Sequence, residues 1–142
     1  MLGFFIEVFA DRTTTAEEML DQAKDMYLWI PNAYINYPCT TEGLKAAEVS
    51  VERGLRVTMT LCFSQSQIAA VYTATKHAET PAYVSPFVGR LDDIGQNGMD
   101  LIRNAKRMLA QGGALSAPGL ALNRVTRFRF PGKGPAMPGC PT

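Results

Sequence analysis

Two polar side chains at the end of a short apolar segment have the types and spacing that best suit chemistry in this chain. Residues 83–93 begin with a short apolar strand-like run, with Ser85 at its carboxyl end and Arg90 just beyond it. A guanidinium group offers planar, paired donors that fit a phosphate. Taken alone, an arginine here is more often a surface residue that pairs with Asp92 or Asp93. The segment therefore predicts either a phosphate site or a surface ion pair.

Three further polar residues interrupt segments that otherwise have strand character. Glu7 lies within the apolar residues 4–9, and burying an unpaired carboxylate is costly. We therefore expect Glu7 to face a polar cavity, to have a partner, or to be neutral. Thr60 follows Thr58 by two residues, so alternation puts both on one strand face, although threonine is also ordinary strand packing. Asn36 ends a third segment, where its amide could hydrogen-bond a ligand hydroxyl or have no role.

The cysteines and the histidine form no metal or disulfide pattern. Cys39, Cys62 and Cys140 are odd in number and lack CxxC spacing, which indicates a reducing compartment and no disulfide framework. His77 has no partner at ligand spacing, so no metal site is predicted. We expect these residues to be structural, although Cys39 lies at a strand-end turn where a thiol could react.

Alternating strand-like and helix-like segments must position these residues. β-branched and aromatic runs are each followed by an apolar pattern at helical spacing. The order βαβαβαβα predicts a parallel sheet with right-handed crossovers, as half of a barrel or as a small open sheet. The strand-like runs are residues 4–9, 33–37, 56–63 and 82–87. The predicted N-terminal caps are Thr14 with Glu17 or Thr15 with Glu18 for the first helix, Thr41 for the second, and Ser64 with Gln67 for the third.

Length and composition fit one folded domain followed by an unusual tail. With 142 residues the chain can bury a core but is shorter than the roughly 250 residues of a complete (β/α)8 barrel. The net charge of +1 and the lack of a long apolar run predict a cytoplasmic protein without membrane or nucleic-acid partners. Residues 1–110 form the predicted domain. Residues 111–142 are rich in Gly, Pro and Arg, contain no acid, and are predicted to be a mostly disordered low-complexity tail in which only residues 120–130 could be ordered locally.

Three segments together resemble transaldolase and fructose-6-phosphate aldolase. They are YPCTTEGLKAA at 37–47, VTMTLCFSQSQ at 57–67 and YVSPFVGRLDD at 83–93. The resemblance covers about residues 4–109, and Phe87 favours the transaldolase branch over the aldolase branch, which has tyrosine there. It implies an α/β fold, as a partial (β/α)8 TIM barrel of about four consecutive βα units.

The resemblance also implies an activity and its residues. In this family a lysine imine transfers a dihydroxyacetone unit between sugar phosphates of the pentose phosphate pathway, without a metal or an organic cofactor. Arg90 would bind the sugar phosphate and Ser85 would line the same pocket. Glu7 and Thr60 would hold the water that relays protons around the imine.

The position of the imine-forming lysine predicts an inactive chain. Asn36 stands there, and an amide nitrogen is delocalised into its carbonyl and is not a nucleophile. Lys45, the nearest lysine, falls on the following helix and is not expected to substitute.

The resemblance leaves out the first two and last two strands of the family's barrel. We therefore expect a truncated or frameshifted gene, with residues from about Gln111 out of the ancestral frame. A half barrel exposes two sheet edges, which favours self-association. Three alternatives to catalysis stay open: sugar-phosphate binding without a reaction, a half barrel that pairs with itself or with another chain, and nucleic-acid binding through the basic residues 124–133 of the tail, for which a solvated low-complexity segment is the simpler interpretation.

Overall fold

Five parallel strands form one sheet in which neighbours in space are also neighbours in the chain. The computed structural model describes residues 3–111 and 121–122. Each strand pairs in parallel with the next one along the chain. The strands are β1 (Phe4–Glu7), β2 (Ala33–Pro38), β3 (Val57–Cys62), β4 (Tyr83–Pro86) and β5 (Ala121–Leu122).

The helices form one layer beside this sheet. Helix α1 packs against α2, α2 against α3, and α3 against α5, so consecutive crossovers lie side by side. Sequential parallel strands covered by such a layer build the arc of a (β/α) barrel, whereas an open doubly wound sheet reverses its strand order. The predicted partial barrel is therefore confirmed. The helices are α1 (Ala16–Tyr27), α2 (Thr41–Glu52), α3 (Gln65–Thr75), α4 (Val88–Asp93) and α5 (Gly98–Gln111).

The hydrophobic core lies between the sheet and the helices. Alternate residues of each strand point toward the helix layer, and the intervening ones point to the opposite, concave face. The Arg56 side chain, just before β3, binds the start of β2: its guanidinium donates to the carbonyls of Ala33 (3.0 Å) and Pro31 (2.9 Å). The helix-facing strand residues Ile35, Tyr37, Val57, Met59 and Val84 pack with Met19, Ala23, Ala46, Ala47, Ile68, Val71 and Leu109.

Two of the predicted helix caps are present. Thr15 and Glu18 form the reciprocal capping box at the start of α1. At the start of α3, Ser64 Oγ accepts from the backbone N–H of Gln67 at 3.2 Å. In a standard capping box the Gln67 side chain would accept from the N–H of the N-cap residue, Ser64. Here Gln67 Oε1 instead accepts from the N–H of Phe63, the residue before the N-cap, at 2.8 Å.

The predicted cap of α2 is wrong by one residue. Thr40 has the extended backbone of an N-cap, and its Oγ1 accepts from Gly43 N at 3.0 Å, whereas Thr41 is already helical. Gly43 is required at this turn, because a Cβ there would overlap the Pro38 carbonyl oxygen. Helix α2 stops as predicted at Gly54, whose φ of 78° is the left-handed conformation that favours glycine.

Strand β1 differs from its prediction as a buried strand over residues 4–9. It ends at Glu7, and Phe4 and Phe5 are 57% and 46% exposed. The physical reason is its place in the sheet, because β1 pairs only with β2 and forms an edge of the described sheet. Only Val8, just past the strand, is buried in the core.

One element was not expected from the sequence, and a second falls where only local order was allowed for. Helix α4 follows β4 directly, with Phe87 as its N-cap, so Arg90 lies in a helix rather than in a loop. Strand β5 lies inside the segment predicted to be a low-complexity tail, and it pairs in parallel with β4. Residues 112–120 and 123–142 of that predicted tail lie outside the described residues, so its disorder stays a prediction.

Candidate active site

Polar side chains form a row across the concave face of the sheet. In the strand register Glu7 is the partner of Asn36, and Asn36 is the partner of Thr58. Partners on parallel strands project to the same side, so strand alternation places these three residues on the face away from the helices. The register therefore brings together two residues that the resemblance singles out, Glu7 and Asn36, with a third, Thr58.

An aromatic cluster lies beside this row. Tyr34 has ring centroids 5.5 Å from Phe5 and 5.3 Å from Tyr83, and Phe5 lies 6.0 Å from Tyr83. In a flat sheet strands β1 and β4 would be about 14 Å apart. Contact between their rings fits a sheet that curves around this face, as a barrel wall does. Burial, and then the neighbouring Tyr83 hydroxyl, raise the pKa of Tyr34 above its usual value.

Two buried acceptor atoms in the row have no partner. Asn36 Oδ1 and Thr58 Oγ1 are both shielded from solvent, and neither makes a hydrogen bond to any other described residue. Leaving a buried polar atom unsatisfied costs about 1–3 kcal/mol. The two atoms therefore mark a polar spot in the apolar interior that suits a ligand hydroxyl or a bound water.

Glu7 and Thr60 differ in their surroundings. Glu7 is exposed, which corrects the expectation of a buried carboxylate in need of a partner, because β1 pairs only with β2 and is an edge of the described sheet. Thr60 is 7% exposed, and in the strand register it is the partner of Pro38. Its carbonyl accepts from the N–H of Cys39 at 2.9 Å, which joins the carboxyl ends of β2 and β3.

Ser85 and Arg90 lie at the carboxyl end of the sheet. Ser85 is half-buried in β4, and Arg90 is exposed on α4. The turn between them is held by Phe87, whose N–H donates to the Cys62 carbonyl at 3.0 Å and whose ring stacks on Phe63 at 5.4 Å. This turn places Arg90 just past the carboxyl end of β4, the end of the strands at which barrels of this kind bind ligands.

The carboxylate of Asp92, considered above as a partner of Arg90, has a structural role. Its Oδ1 accepts from Gly98 N at 2.9 Å and so ties α4 to the start of α5. Lys45 is on α2, as predicted, and forms an exposed ion pair with Glu42 at 2.8 Å. That bond, and then the N–H of Ala16, lower the pKa of the Glu42 carboxyl.

Other kinds of site find no support in the part of the chain that the structure describes. Within residues 3–111 and 121–122, no three His, Cys, Asp or Glu side chains lie close enough to hold a metal ion. No helix in those residues is both long and apolar enough to cross a bilayer.

Three residues of the concave face were missed as site residues by sequence reasoning. Thr58 was noted only for sharing a face with Thr60, and Tyr34 and Tyr83 were counted as strand residues. The available signal was alternation: Tyr34 and Asn36 are two apart and must share a face. Which neighbour each meets depends on the register between strands, which a single segment does not encode.

The curved sheet, its outer helices and a polar concave face with an arginine at its carboxyl end define a (β/α)-barrel protein. The family model for transaldolase/fructose-6-phosphate aldolase matches residues 3–120. The chain belongs to the transaldolase/fructose-6-phosphate aldolase family. The match extends past Gln111 to residue 120, whereas a loss of the ancestral frame was expected from about Gln111; the truncation or frameshift itself stays a prediction.

Curated relatives agree with this assignment. The chain is 45% identical over 97 residues to a "Probable transaldolase" of Bacillus cereus, covering 67% of this chain and 42% of that protein. It is 44% identical over 98 residues to a "Probable transaldolase" of Lactiplantibacillus plantarum, covering 68% and 42%. It is 43% identical over 96 residues to "Probable transaldolase 2" of Listeria monocytogenes serovar 1/2a, covering 66% and 41%. The chain thus spans about two fifths of the length of these relatives.

Proposed function

We propose that this chain binds a phosphorylated sugar without forming an imine with it. The observation that carries the proposal is the pair of buried, unpartnered acceptors, Asn36 Oδ1 and Thr58 Oγ1, on the concave face. An amide at the position of the family's lysine cannot attack a carbonyl, but its oxygen can accept a hydrogen bond from a sugar hydroxyl. The proposed setting is the cytoplasm, where transaldolase chemistry of the pentose phosphate pathway would otherwise occur.

The remaining roles follow the family resemblance. Arg90 holds the phosphate through paired N–H donors, and the Ser85 hydroxyl contributes from the adjoining strand. Glu7 and Thr60 keep a water molecule near Asn36, without an imine for that water to serve. Neither a metal nor an organic cofactor takes part in this proposal.

Thermal unfolding with and without fructose 6-phosphate tests the proposal. At a hundredfold excess of ligand over Kd, binding adds about 2.7 kcal/mol of stability and raises Tm by several degrees. Arg90→Ala should weaken binding by about tenfold or more, because charge-assisted hydrogen bonds contribute about 1.5–3 kcal/mol. Arg103→Ala is the matched control, since Arg103 is an exposed arginine on α5 paired with Asp100 at 2.7 Å. An equal Tm shift in both variants, or no shift in the unaltered chain, would refute phosphate binding at Arg90.

Self-association is a second candidate, favoured by the apolar groups around β1. Phe4, Phe5 and Phe9 are 57%, 46% and 68% exposed, and β1 is an edge of the described sheet. An unprotected edge with exposed aromatics is a template for pairing with a second copy. Light scattering should therefore report a dimer or larger species that Phe5→Lys dissociates. Ile94→Lys, at an apolar residue 69% exposed at the end of α4, is the control and should leave the assembly intact. A monomeric unaltered chain would exclude this candidate.

A further inference from the structure

We propose that Cys39 and Cys62 form a reversible intramolecular disulfide that responds to peroxide. The two thiols lie at the carboxyl ends of neighbouring strands, β2 and β3, and both are free cysteines in this structure. Both residues are anchored on one backbone carbonyl: Cys62 Sγ lies 3.7 Å from Thr60 O, and the same oxygen accepts from the N–H of Cys39 at 2.9 Å. Cys39 Sγ also lies 3.9 Å from Gln67 O. The pair has no role in the family chemistry described above.

A β-bulge brings the two thiols to the same face. Met59 and Cys62 are three residues apart, so regular alternation would place them on opposite sides of the sheet. Both are fully buried in the core, and the register of β3 against β4 shifts between them. The shift falls at Leu61, which has a φ of 59° and is 40% exposed. Since a bulge re-aims the following side chain, Cys62 joins Cys39 in the helix-facing core.

The spacing of the strands suits a disulfide. Pro38 is the register partner of Thr60, so Cys39 and Cys62 are offset by about one residue. A strand spacing of about 4.8 Å and a rise of about 3.3 Å give a diagonal of about 5.8 Å between Cα atoms, within the range of about 4.4–6.8 Å that disulfides span. The N–H of Cys39 donates to the carbonyl of Thr60 at 2.9 Å, which fixes the height of Cys39 beside the bulge. Gln67 holds the same residue from the other side, because its Nε2 donates to the Cys39 carbonyl at 3.3 Å. These contacts hold the two backbones at a separation that a disulfide can span.

The two cysteines are unequal, which assigns their roles. The hydrogen bond from Cys62 lowers the pKa of Cys39, whereas the same bond and burial raise the pKa of Cys62. Cys39 is also the more accessible of the two, at 8% exposed against 0%. Cys39 is therefore the thiolate that attacks, and Cys62 is the thiol that resolves.

The chemistry balances with a hydroperoxide as oxidant. The Cys39 thiolate attacks one peroxide oxygen, an S–O bond forms, the O–O bond breaks, and the departing oxygen takes a proton and leaves as water or an alcohol. The Cys62 sulfur then attacks the Cys39 sulfenic acid and loses its proton, and water leaves as the S–S bond forms. The two cysteines lose two electrons and the peroxide gains them. A reducing thiol restores the pair by exchange.

The disulfide would act on the neighbouring ligand turn. Cys62 is the register partner of Pro86, and its carbonyl accepts from the N–H of Phe87. That turn separates Ser85 from Arg90. A covalent link at Cys62 is thus attached directly to the segment that would hold the phosphate.

Intact mass and peptide mapping of the full chain after hydrogen peroxide, without denaturant, test the pair. We expect a loss of two hydrogens, a Cys39–Cys62 linked peptide, a Cys140 that can still be alkylated, and full reversal by dithiothreitol. The same oxidation in urea should scatter the linkage over all three cysteines. Cys62→Ala should leave a Cys39 sulfenic acid that dimedone traps, whereas Cys39→Ala should leave Cys62 unmodified. A native linkage to Cys140, oxygen addition without a disulfide, or no reaction would each overturn the proposal.

Discussion

The buried hydroxyl pair that joins β2 to α2 offers the most quantitative test of the fold that holds the site. Tyr37 Oη and Ser50 Oγ are 2.7 Å apart, and both side chains are fully buried. Tyr37→Phe removes one hydroxyl and leaves the Ser50 hydroxyl without this partner. An unsatisfied buried hydroxyl costs about 1–3 kcal/mol, and Ser50→Ala should cost a similar amount by stranding the Tyr37 hydroxyl. The double variant leaves no unsatisfied buried hydroxyl, so it should cost less stability than either single variant.

The double-mutant cycle separates this bond from ordinary packing losses. We expect the summed losses in unfolding free energy of the two single variants to exceed the loss in the double variant by at least about 1 kcal/mol. This difference is within the range for residues in contact. The assay is urea unfolding followed by far-ultraviolet circular dichroism for the unaltered chain and three variants. Additive costs, within about 0.5 kcal/mol, would refute the idea that this hydrogen bond fixes β2 on α2.

Two further predictions concern the same part of the structure. Gly43→Ala should destabilise the fold by on the order of 1–3 kcal/mol, because the new Cβ overlaps the Pro38 carbonyl. Gly95→Ala is the control, because Gly95 lies at an open turn with a φ of 82° and the change would cause only backbone strain. The urea unfolding midpoints of the two variants are compared. Burial raises the pKa of Tyr37, partly offset by its bond to Ser50, so the folded chain holds this proton to higher pH than the unfolded chain does. That contribution to stability is fully present below the unfolded pKa near 10 and is lost as pH rises through that value toward the folded pKa. The free energy of unfolding should therefore fall above about pH 10. It should fall less steeply in Tyr37→Phe, which lacks the titrating hydroxyl.

Much of the fold could be read from local patterns. Apolar alternation and helical spacing located four strands and four helices, and capping chemistry located Thr15 with Glu18 and Ser64 with Gln67. Such signals work because the groups involved lie within one turn or one strand of each other. The cap at Thr40 was misplaced by one residue because Thr41 offers the same side chain, and only the backbone conformation separates the two.

The features that could not be read depend on contacts between distant segments. The bulge at Leu61 requires a positive φ, which leucine disfavours, so local sequence preference argues against a bulge here. The packing of Cys62 in the core beside Cys39 compensates for this backbone strain. The exposure of Glu7 follows from the place of β1 at the sheet edge, which its own apolar residues do not reveal. The meeting of Asn36 with Thr58 requires the inter-strand register.

The consequence for the site is that residue identity was more predictable than residue environment. Asn36, Ser85 and Arg90 could be singled out from sequence segments. The unpartnered oxygens of Asn36 and Thr58 depend on the register between β2 and β3, and the aromatic cluster beside them depends on the curvature of the sheet.

Borohydride trapping tests most directly the central claim that Asn36 leaves this chain able to bind a sugar phosphate but unable to form an imine. The unaltered chain and Asn36→Lys would each be incubated with fructose 6-phosphate and borohydride, with Lys45→Arg added to Asn36→Lys as a control for the nearest lysine. The account predicts no covalent adduct by intact mass on the unaltered chain, and an adduct mapped to position 36 in both lysine-bearing variants. An adduct on the unaltered chain would contradict it.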